Sequence, residues 1–534
     1  MEKFLAWWRR GQRDDMLLKS LTLALLPLLC CVVYCALQGR WIGDVYLPAS
    51  QWNDELFYYK QVESILSGGY PLGYFGFNES HALKLSFAAW SPVLVFPWVL
   101  WGLVFGWNLM SPILCNIFLM SLSCFLYVWL VRPSWKQMGV LGLLFCLYTN
   151  FPRYMLSGMA EVICFAMLIS FYSLAIHYRR RGKGRELAVL FLMSGLMTLM
   201  RPYLVLFMLL PSFFWVCRGK GRLSKWMGAL GSVLAIGATL GIYGCVNHYL
   251  SAEYFAPLFF TDWFQAFFEQ GFWGGLKFTL DKFLAAGEEF IAFAKQGIRV
   301  GTTTGTVFAG YLVCLCVLSV QSFEEWAASR RPGVKRAESL AAIEAHLALS
   351  FLIMLPALFL MYKLIEGSRH LLTFLAAAVF VIPLARMRLP AKAACVGAAF
   401  AFLYIYRAVS PYDYQVPFVE EERQASMEEW QDVFSRYLAV DRENAPSYDN
   451  VIIWTYHDLV DGESVHTAWQ LLYALPKGYG ISCCMRDYLV ESIGSLKSHY
   501  LLGPVGGEIE ALCEEAGYEA LYSDGAMILY EIRQ

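Results

Sequence analysis

Two adjacent carboxylates, Asp54 and Glu55, stand in the stretch Asn53-Asp54-Glu55-Leu56-Phe57-Tyr58-Tyr59-Lys60. They follow the first long apolar run and open a polar segment. Acids at a membrane face are costly unless they are solvated, paired or used. A carboxylate placed there suits general-base work: it takes a proton from an acceptor hydroxyl while an anionic leaving group departs from the carbon under attack. One acid suffices for the proton, and a second can orient the acceptor or hold a metal. The same residues also suit a structural role, since Asn53 or Asp54 can cap a helix continuing through Val62. Glu161 is a further acid, at the start of another apolar run, where the helix dipole alone would favour it.

An anionic leaving group needs cations. Arg153, Arg201, Lys363 and Arg369 fall at span borders on the outer side, against the usual inward bias of positive charge, and Lys84 lies in the first outer loop. Arginine can fork onto phosphate oxygens, whereas lysine acts as a point charge. Singly, each such cation also suits snorkelling to lipid headgroups. As a set on one face with acids, they suit a phosphate. Glu79, His81 and Lys84 form a smaller polar cluster in Asn78-Glu79-Ser80-His81-Ala82-Leu83-Lys84, with a solvated loop as the plain alternative.

The elements that must position these groups are membrane spans. The chain is 58% hydrophobic and only 16% charged, with a mean hydropathy of +0.47, and its apolar runs recur near span length. Arg9, Arg10 and Arg13 precede the run Met16 to Leu37, which reads as an uncleaved first helix with a cytoplasmic N-terminus. The basic clusters at 179–185, 218–225, 330–336 and 386–392 fix the later inner loops. Counting back from them makes 111–130 an inward span, so 86–105 begins and ends on the outer face. Pro92 and Pro97 interrupt it, as expected of a re-entrant or juxtamembrane helix. The first outer loop is then 38–110. Spans follow near 138–150, 160–177, 186–200, 203–217, 226–246, 302–320, 343–361, 371–385 and 393–407, roughly eleven in all, with 247–300 as a long aromatic outer loop.

Residues 411–534 obey different rules. They carry 22 acids and 7 bases, against 21 and 35 in residues 1–410, which marks a second domain. Val451-Ile-Ile-Trp454, Tyr500 to Leu502, Ala520 to Tyr522 and Met527 to Tyr530 read as strands, and His466 to Leu475 and Gly507 to Ala516 as helices. The fold class is thus an all-α polytopic membrane domain, 1–410, followed by an extracytoplasmic soluble α/β domain, 411–534. Most of the fifteen cysteines lie in apolar runs and behave there as small hydrophobes. Cys483, Cys484 and Cys513 leave a disulfide in the outer domain open.

The pattern Asp54-Glu55-x-x-Tyr58-Tyr59 after the first span resembles the GT-C superfamily of polyprenyl-phosphate-sugar transferases, of the protein O-mannosyltransferase and lipid A aminoarabinose transferase kind. The run Gly68-Gly69-Tyr70-Pro71 through Trp90-Ser91-Pro92 is similar to that family's juxtamembrane segment, and the likeness covers about the first 220 residues and the turn Ser368-Arg369-His370-Leu371-Leu372. The resemblance implies Asp54 as base, with Glu55 and Glu161 orienting acceptor, sugar or metal. It implies the outer cations on the donor phosphate, with Arg369-His370 in place of an Arg-Tyr-like pair. Some relatives need a divalent metal, Mg or Mn, with Asp54 and Glu161 as its ligands here; others need none. The implied partners are a polyprenyl-phosphate-linked sugar, an extracytoplasmic acceptor and the bilayer.

Other classes remain in view. A lipid-linked glycan polymerase or ligase would use a late outer loop, and 247–300 holds Asp262, Glu269 and Arg299. A transporter or flippase of lipid-linked sugars favours internal repeats and midplane polar residues, and no repeat is visible. Gly301-Thr-Thr-Thr-Gly305 lacks the Gly-Lys-Ser/Thr of a phosphate loop. The acidic outer domain has no basic patch for nucleic acid.

Overall fold

Buried in lipid, a backbone must satisfy its own hydrogen bonds, so apolar runs of this length fold as helices. The computed structural model describes residues 2–68, 75–80, 91–147, 150–250, 259–300, 303–330, 340–384, 416–441 and 448–532. In chain order, α1 is Glu2–Leu37, α2 Asn53–Gly68, α3 Phe96–Phe105, α4 Ser111–Val131, α5 Trp135–Leu147, α6 Asn150–Met155, α7 Glu161–Arg181, α8 Gly184–Met200, α9 Leu209–Arg218 and α10 Arg222–Leu250. Then come α11 Asp262–Glu269, α12 Gly271–Val300, α13 Thr303–Ser329, α14 Ala341–Met361 and α15 Leu364–Val381. Among the described residues, seven helices are long and apolar enough to cross a membrane, within α1, α4, α7, α10, α13, α14 and α15. The expected last span, 393–407, lies outside the described residues.

The spans pack in a chain of neighbours: α1 on α4, α4 on α7, α7 on α15, and α15 on α13 and α14. Helix α7 opens on Glu161 and closes on Arg179-Arg180-Arg181. At 1.5 Å per residue its ends are about 30 Å apart. Glu161 therefore lies at the opposite end of the bundle from that basic cluster, as the charge pattern requires.

Of the segment expected to dip, 86–105, residues 86–90 lie outside the described residues, and the rest is a 3-10 turn, Pro92–Val95, leading into the ten residues of α3. The described part, 92–105, is shorter than a span. Helix α3 packs beside α2 and α4: just past its end Trp107 Nε1 donates to the Tyr59 carbonyl of α2 at 3.1 Å, and Trp98 Nε1 donates to Asn116 Oδ1 of α4 at 3.0 Å.

The region 247–300 differs from expectation. Apart from the residues outside the description, it is helix rather than loop, ending α10 and forming α11 and α12. Its charges hide an amphipathic period: Phe283, Ala286, Phe290, Ala294 and Gly297 face the bundle. Phe290 stacks on Phe308 at 4.3 Å and meets Phe359 at 5.4 Å. Gly297 and Gly305 bring α12 and α13 into backbone contact, and a Cβ on either would overlap the other's main chain.

The C-terminal region, expected outside the membrane, holds α16 Glu421–Tyr437, α17 Arg486–Ser492 and α18 Glu508–Glu515 around a six-stranded sheet. The strands are β1 Phe75–Phe77, β2 Val451–Thr455, β5 Gly480–Cys484, β6 Tyr500–Pro504, β7 Glu519–Ser523 and β8 Met527–Glu531; β3 His457–Val460 and β4 Glu463–His466 form a separate hairpin. The order is β1-β5-β2-β6-β8-β7, with β1, β5, β2 and β6 parallel and β8 and β7 antiparallel. The helix expected over 466–475 is instead the end of β4 and a short 3-10 turn, Trp469–Ala474. Asp461 and Gly462, both at positive φ, turn β3 into β4. Cys483, Cys484 and Cys513 are buried free thiols, so no disulfide staples the domain.

One edge of the sheet, β1, comes from residues 75–77, between α2 and α3, so the sheet is not confined to the expected 411–534. Glu79 secures it. Its carboxylate accepts the backbone N–H groups of Lys497 and Ser498 at 2.8 and 2.9 Å and the Tyr488 hydroxyl at 3.1 Å, while its own N–H donates to Ser482 Oγ at 2.8 Å. Glu79→Ala is expected to lower the stability of the outer domain by about 3 kcal/mol, because it orphans buried donors. Hydrogen exchange of residues 75–80 and 497–498 would register the loss, and unchanged protection there would refute the clamp.

Candidate active site

Helix α2 begins at Asn53, so Asp54 and Glu55 occupy its first turn. Successive residues on a helix point about 100° apart, and the two acids accordingly have different surroundings. Asp54 is half-buried and makes an ion pair with the Arg369 guanidinium. Glu55 is buried. It accepts from Ser50 Oγ and from the Gly158 N–H, each at 2.9 Å. Gly158 permits that approach, since a Cβ there would lie 3.1 Å from the Glu55 Cβ.

Burial pushes the Glu55 carboxyl up to about 8, with the Gly158 and Ser50 hydrogen bonds working the other way. A carboxyl raised in the folded state adds stability below its unfolded value, and that contribution is lost as pH climbs through about 8. Glu55→Gln is expected to flatten the stability profile between pH 5 and 9 and to exceed wild type at the alkaline end by on the order of 4 kcal/mol. Thermal unfolding in detergent across that range tests it; parallel profiles for the two proteins would reject the assignment.

Behind Asp54 the charges continue inward. Arg369 Nε lies 4.0 Å from Glu161 Oε1, the same oxygen that Arg201 Nη2 contacts at 2.7 Å. Arg201 Nη1 lies 3.0 Å from His370 Nδ1. Arginine has no acceptor, so that imidazole nitrogen must be the unprotonated one. Arg201 and Glu161 are both fully buried. The His370 ring is held between Tyr203 and Tyr362, with centroids 5.0 Å from each. Among the described residues, Glu161 Oε2 and Arg369 Nε are buried without a hydrogen-bond partner. Orphaned buried polar atoms are rare enough to mark a place where a ligand group would be accepted.

Asp54, Glu161, Arg201, Arg369 and His370 thus converge, drawn from α2, α7, the α8 C-cap and α15. Arg369 and His370 lie in the second turn of α15 rather than in a loop, because the helix starts at Leu364. Arg201 and His370 were expected on the donor phosphate; both are turned inward and engaged within the cluster. Arg153 is buried on α6, in the segment leading to Gly158. Lys363 is exposed at the N-cap of α15. Glu79 does not join the cluster, its carboxylate being committed to the outer domain. His81 and Lys84 lie outside the described residues.

Sequence reasoning quoted Tyr58 in the pattern after the first span but gave it no role in the site. It is buried on the same helix, one turn after Asp54, with its ring edge-on to Trp98. Burial pushes its hydroxyl far above the ordinary value, and Arg201, Glu161, Asp54 and Arg369 all act on it. The signal was the i, i+4 spacing within Asp54-Glu55-x-x-Tyr58.

The cluster is a poor metal cradle. Asp54 and Glu161 both face arginines, and among the described residues no three His, Cys, Asp or Glu side chains gather into a ligand set. Arginine opposite carboxylate holds a charged site ready without a cation, and leaves N–H donors to share with an incoming anion.

No family model matches the sequence, and no curated protein matches it. Among solved structures, the chain is similar to the crystal structure of ArnT from Cupriavidus metallidurans bound to undecaprenyl phosphate, at 12% identity and a TM-score of 0.40, over 95% of this chain and 97% of that one.

Proposed function

We propose that this chain is a GT-C-type membrane glycosyltransferase. It transfers a sugar, with inversion, from a polyprenyl-phosphate-linked donor to an acceptor hydroxyl on an extracytoplasmic glycan, lipid or protein. The observation that carries this reading is the pairing of Asp54 with Arg369, backed by Glu161 and Arg201, at the bundle end remote from the Arg179–Arg181 cluster.

The chemistry follows from the charges. A donor phosphate entering the cluster competes with Asp54 for the Arg369 guanidinium, whose N–H groups can fork onto phosphate oxygens. Arg369 then stabilises the charge that develops on the departing phosphate. Asp54, released from its partner, accepts the proton of the acceptor hydroxyl as the oxygen attacks the anomeric carbon and the carbon–phosphate-oxygen bond breaks. Glu161 and Arg201 hold Arg369 in register from below. Glu55, buried and bonded to Ser50 and Gly158, braces the first turn of α2 that presents Asp54.

Transfer of label from a polyprenyl-phosphate sugar by purified wild type, lost in a folded Asp54→Asn protein, would support the reading. Undiminished transfer by Asp54→Asn would remove Asp54 as the base. The residues named for the polymerase alternative stand apart from this cluster: Asp262 and Glu269 lie on α11, and Asp262 pairs with Lys282 of α12 at 2.5 Å.

A further inference from the structure

Helix α2 carries Asp54 at its start, yet among the described residues no membrane span is one of its main neighbours. It packs on α3, on the 3-10 turn before α3, and on the 3-10 turn Trp469–Ala474 of the C-terminal region. Its sixteen residues make a rod about 24 Å long. The first turn meets the charged cluster and the 157–158 segment through Arg369 and Gly158. The body of the rod is held elsewhere.

Residues 470–475 hold α2 at three levels. Gln470 Nε2 donates to the Ser50 carbonyl at 3.2 Å, just ahead of the helix. The Tyr473 ring lies 5.3 Å from the Tyr59 ring, which also meets Trp107 at 5.3 Å. The Lys60 ammonium donates to the Leu475 carbonyl at 3.1 Å and to Glu63 Oε2 at 2.8 Å. Leu475 closes the 3-10 turn at φ −58° and ψ 144°. Pro476 follows it and favours that extended backbone. The turn therefore stops at Leu475, whose carbonyl is presented to Lys60.

Lys60 and Glu63 are both buried. Taking an ammonium and a carboxylate out of water is not reliably offset by their attraction, and apolar residues of similar volume would hold the fold as well. Glu63 balances the charge from within the same helix and ties α2 to no other element through its carboxylate. The bond that crosses to the C-terminal region is the one to Leu475. A directed hydrogen bond fixes register, which an apolar contact leaves loose.

We propose that Lys60 is a positioning residue for Asp54. Its bond to Leu475 sets the register of α2 against the C-terminal region, so that region determines how far the proposed base reaches toward the donor. The second clause rests on the transferase reading above. Lys60 stands six residues from Asp54, about 9 Å along the helix axis. A helix is stiff over that length, so a shift at Lys60 arrives at Asp54. A misplacement of about 1 Å costs on the order of 10²-fold in rate.

The test uses the full chain with Lys60→Met/Glu63→Met, which removes the two charges together and strands neither. Its kcat is expected to fall about 10–100-fold, with donor KM within about twofold and melting temperature within about 3 °C of wild type. Hydrogen exchange supplies a readout that needs no substrate: residues 53–60 should exchange faster than in wild type, while α7 and α15 keep their protection. Gln470→Met, which cuts the tie ahead of the helix, should lower kcat by a smaller factor. Unchanged kcat in the double variant would overturn the proposal. So would unchanged exchange over 53–60, or a loss of rate that only follows a fall in melting temperature or a rise in KM, because Lys60 would then be a packing residue alone. A wild type that transfers no sugar would remove the transferase reading by itself, and the exchange result would still decide whether Lys60 registers α2.

Discussion

Asp54→Asn is expected to lower kcat for sugar transfer by about 10²–10⁴-fold while leaving the donor KM within a few-fold of wild type. The substitution keeps the side chain's size and removes its ability to take a proton. It also removes the charge that pairs with Arg369, so the guanidinium is freer for the donor phosphate and KM should not rise. Arg369→Gln should behave differently, with kcat falling by about 10²–10³-fold and donor KM rising, because it loses charge stabilisation in both the ground and transition states. Turnover of labelled donor in liposomes, with melting temperatures alongside, separates these from unfolding. A common loss of melting temperature with a common loss of rate would make both residues structural.

The second large effect concerns stability. Arg201 and Glu161 form a 2.7 Å ion pair with neither side chain exposed. Taking two ions out of water costs several kcal/mol each, recovered only while both remain together. Glu161→Gln or Arg201→Met alone is therefore expected to destabilise the protein by about 3–5 kcal/mol, since each strands a buried charge. Glu161→Gln/Arg201→Met should recover much of that loss, giving a coupling of the opposite sign in a double-mutant cycle. The double variant should still be inactive, because Arg369 would have lost the carboxylate 4.0 Å from its Nε. Unfolding in detergent with a parallel transfer assay reads both quantities. Additive stability losses would mean that the pair is not coupled.

The membrane architecture was largely legible because lipid imposes it. Apolar length gave seven of the roughly eleven expected spans among the described residues, those expected at 138–150, 186–200 and 203–217 being shorter helices, and charge asymmetry put Asp54, Glu161, Arg201 and Arg369 on one side. Their assembly was not legible in the same way. Asp54 and Arg369 are 315 residues apart, and nothing local says that Arg201 turns inward to Glu161 instead of outward to a phosphate. Helix α12 was missed because Asp281, Lys282, Glu288, Glu289 and Lys295 break its apolar run, although Phe283, Ala286, Phe290, Ala294 and Gly297 keep a helical period. Strand β1 carried almost no signal. Phe75-Gly76-Phe77 is three residues long and extended only because Ile481, Ser482 and Cys483 pair with it. Glu79 was expected at the substrate site or in a solvated loop, and it is neither, because a buried acid that serves structure and one that serves chemistry are written with the same letter.

That strand has a consequence for how the protein is made. Ser482, which the Glu79 backbone must find, is synthesised 403 residues later. At ribosomal speeds the first loop waits on the order of tens of seconds for its partner. Until then Phe75 and Phe77 have no sheet to join, and when β5 appears it is β1 that closes its free edge. Expressed without the first loop, the C-terminal region would carry an open parallel edge beside a buried strand, the kind of surface that drives aggregation. The segment before α3 thus belongs at once to the helical bundle's sequence and to the C-terminal sheet, so folding of the sheet reports on residues 75–80 and 480–484 together.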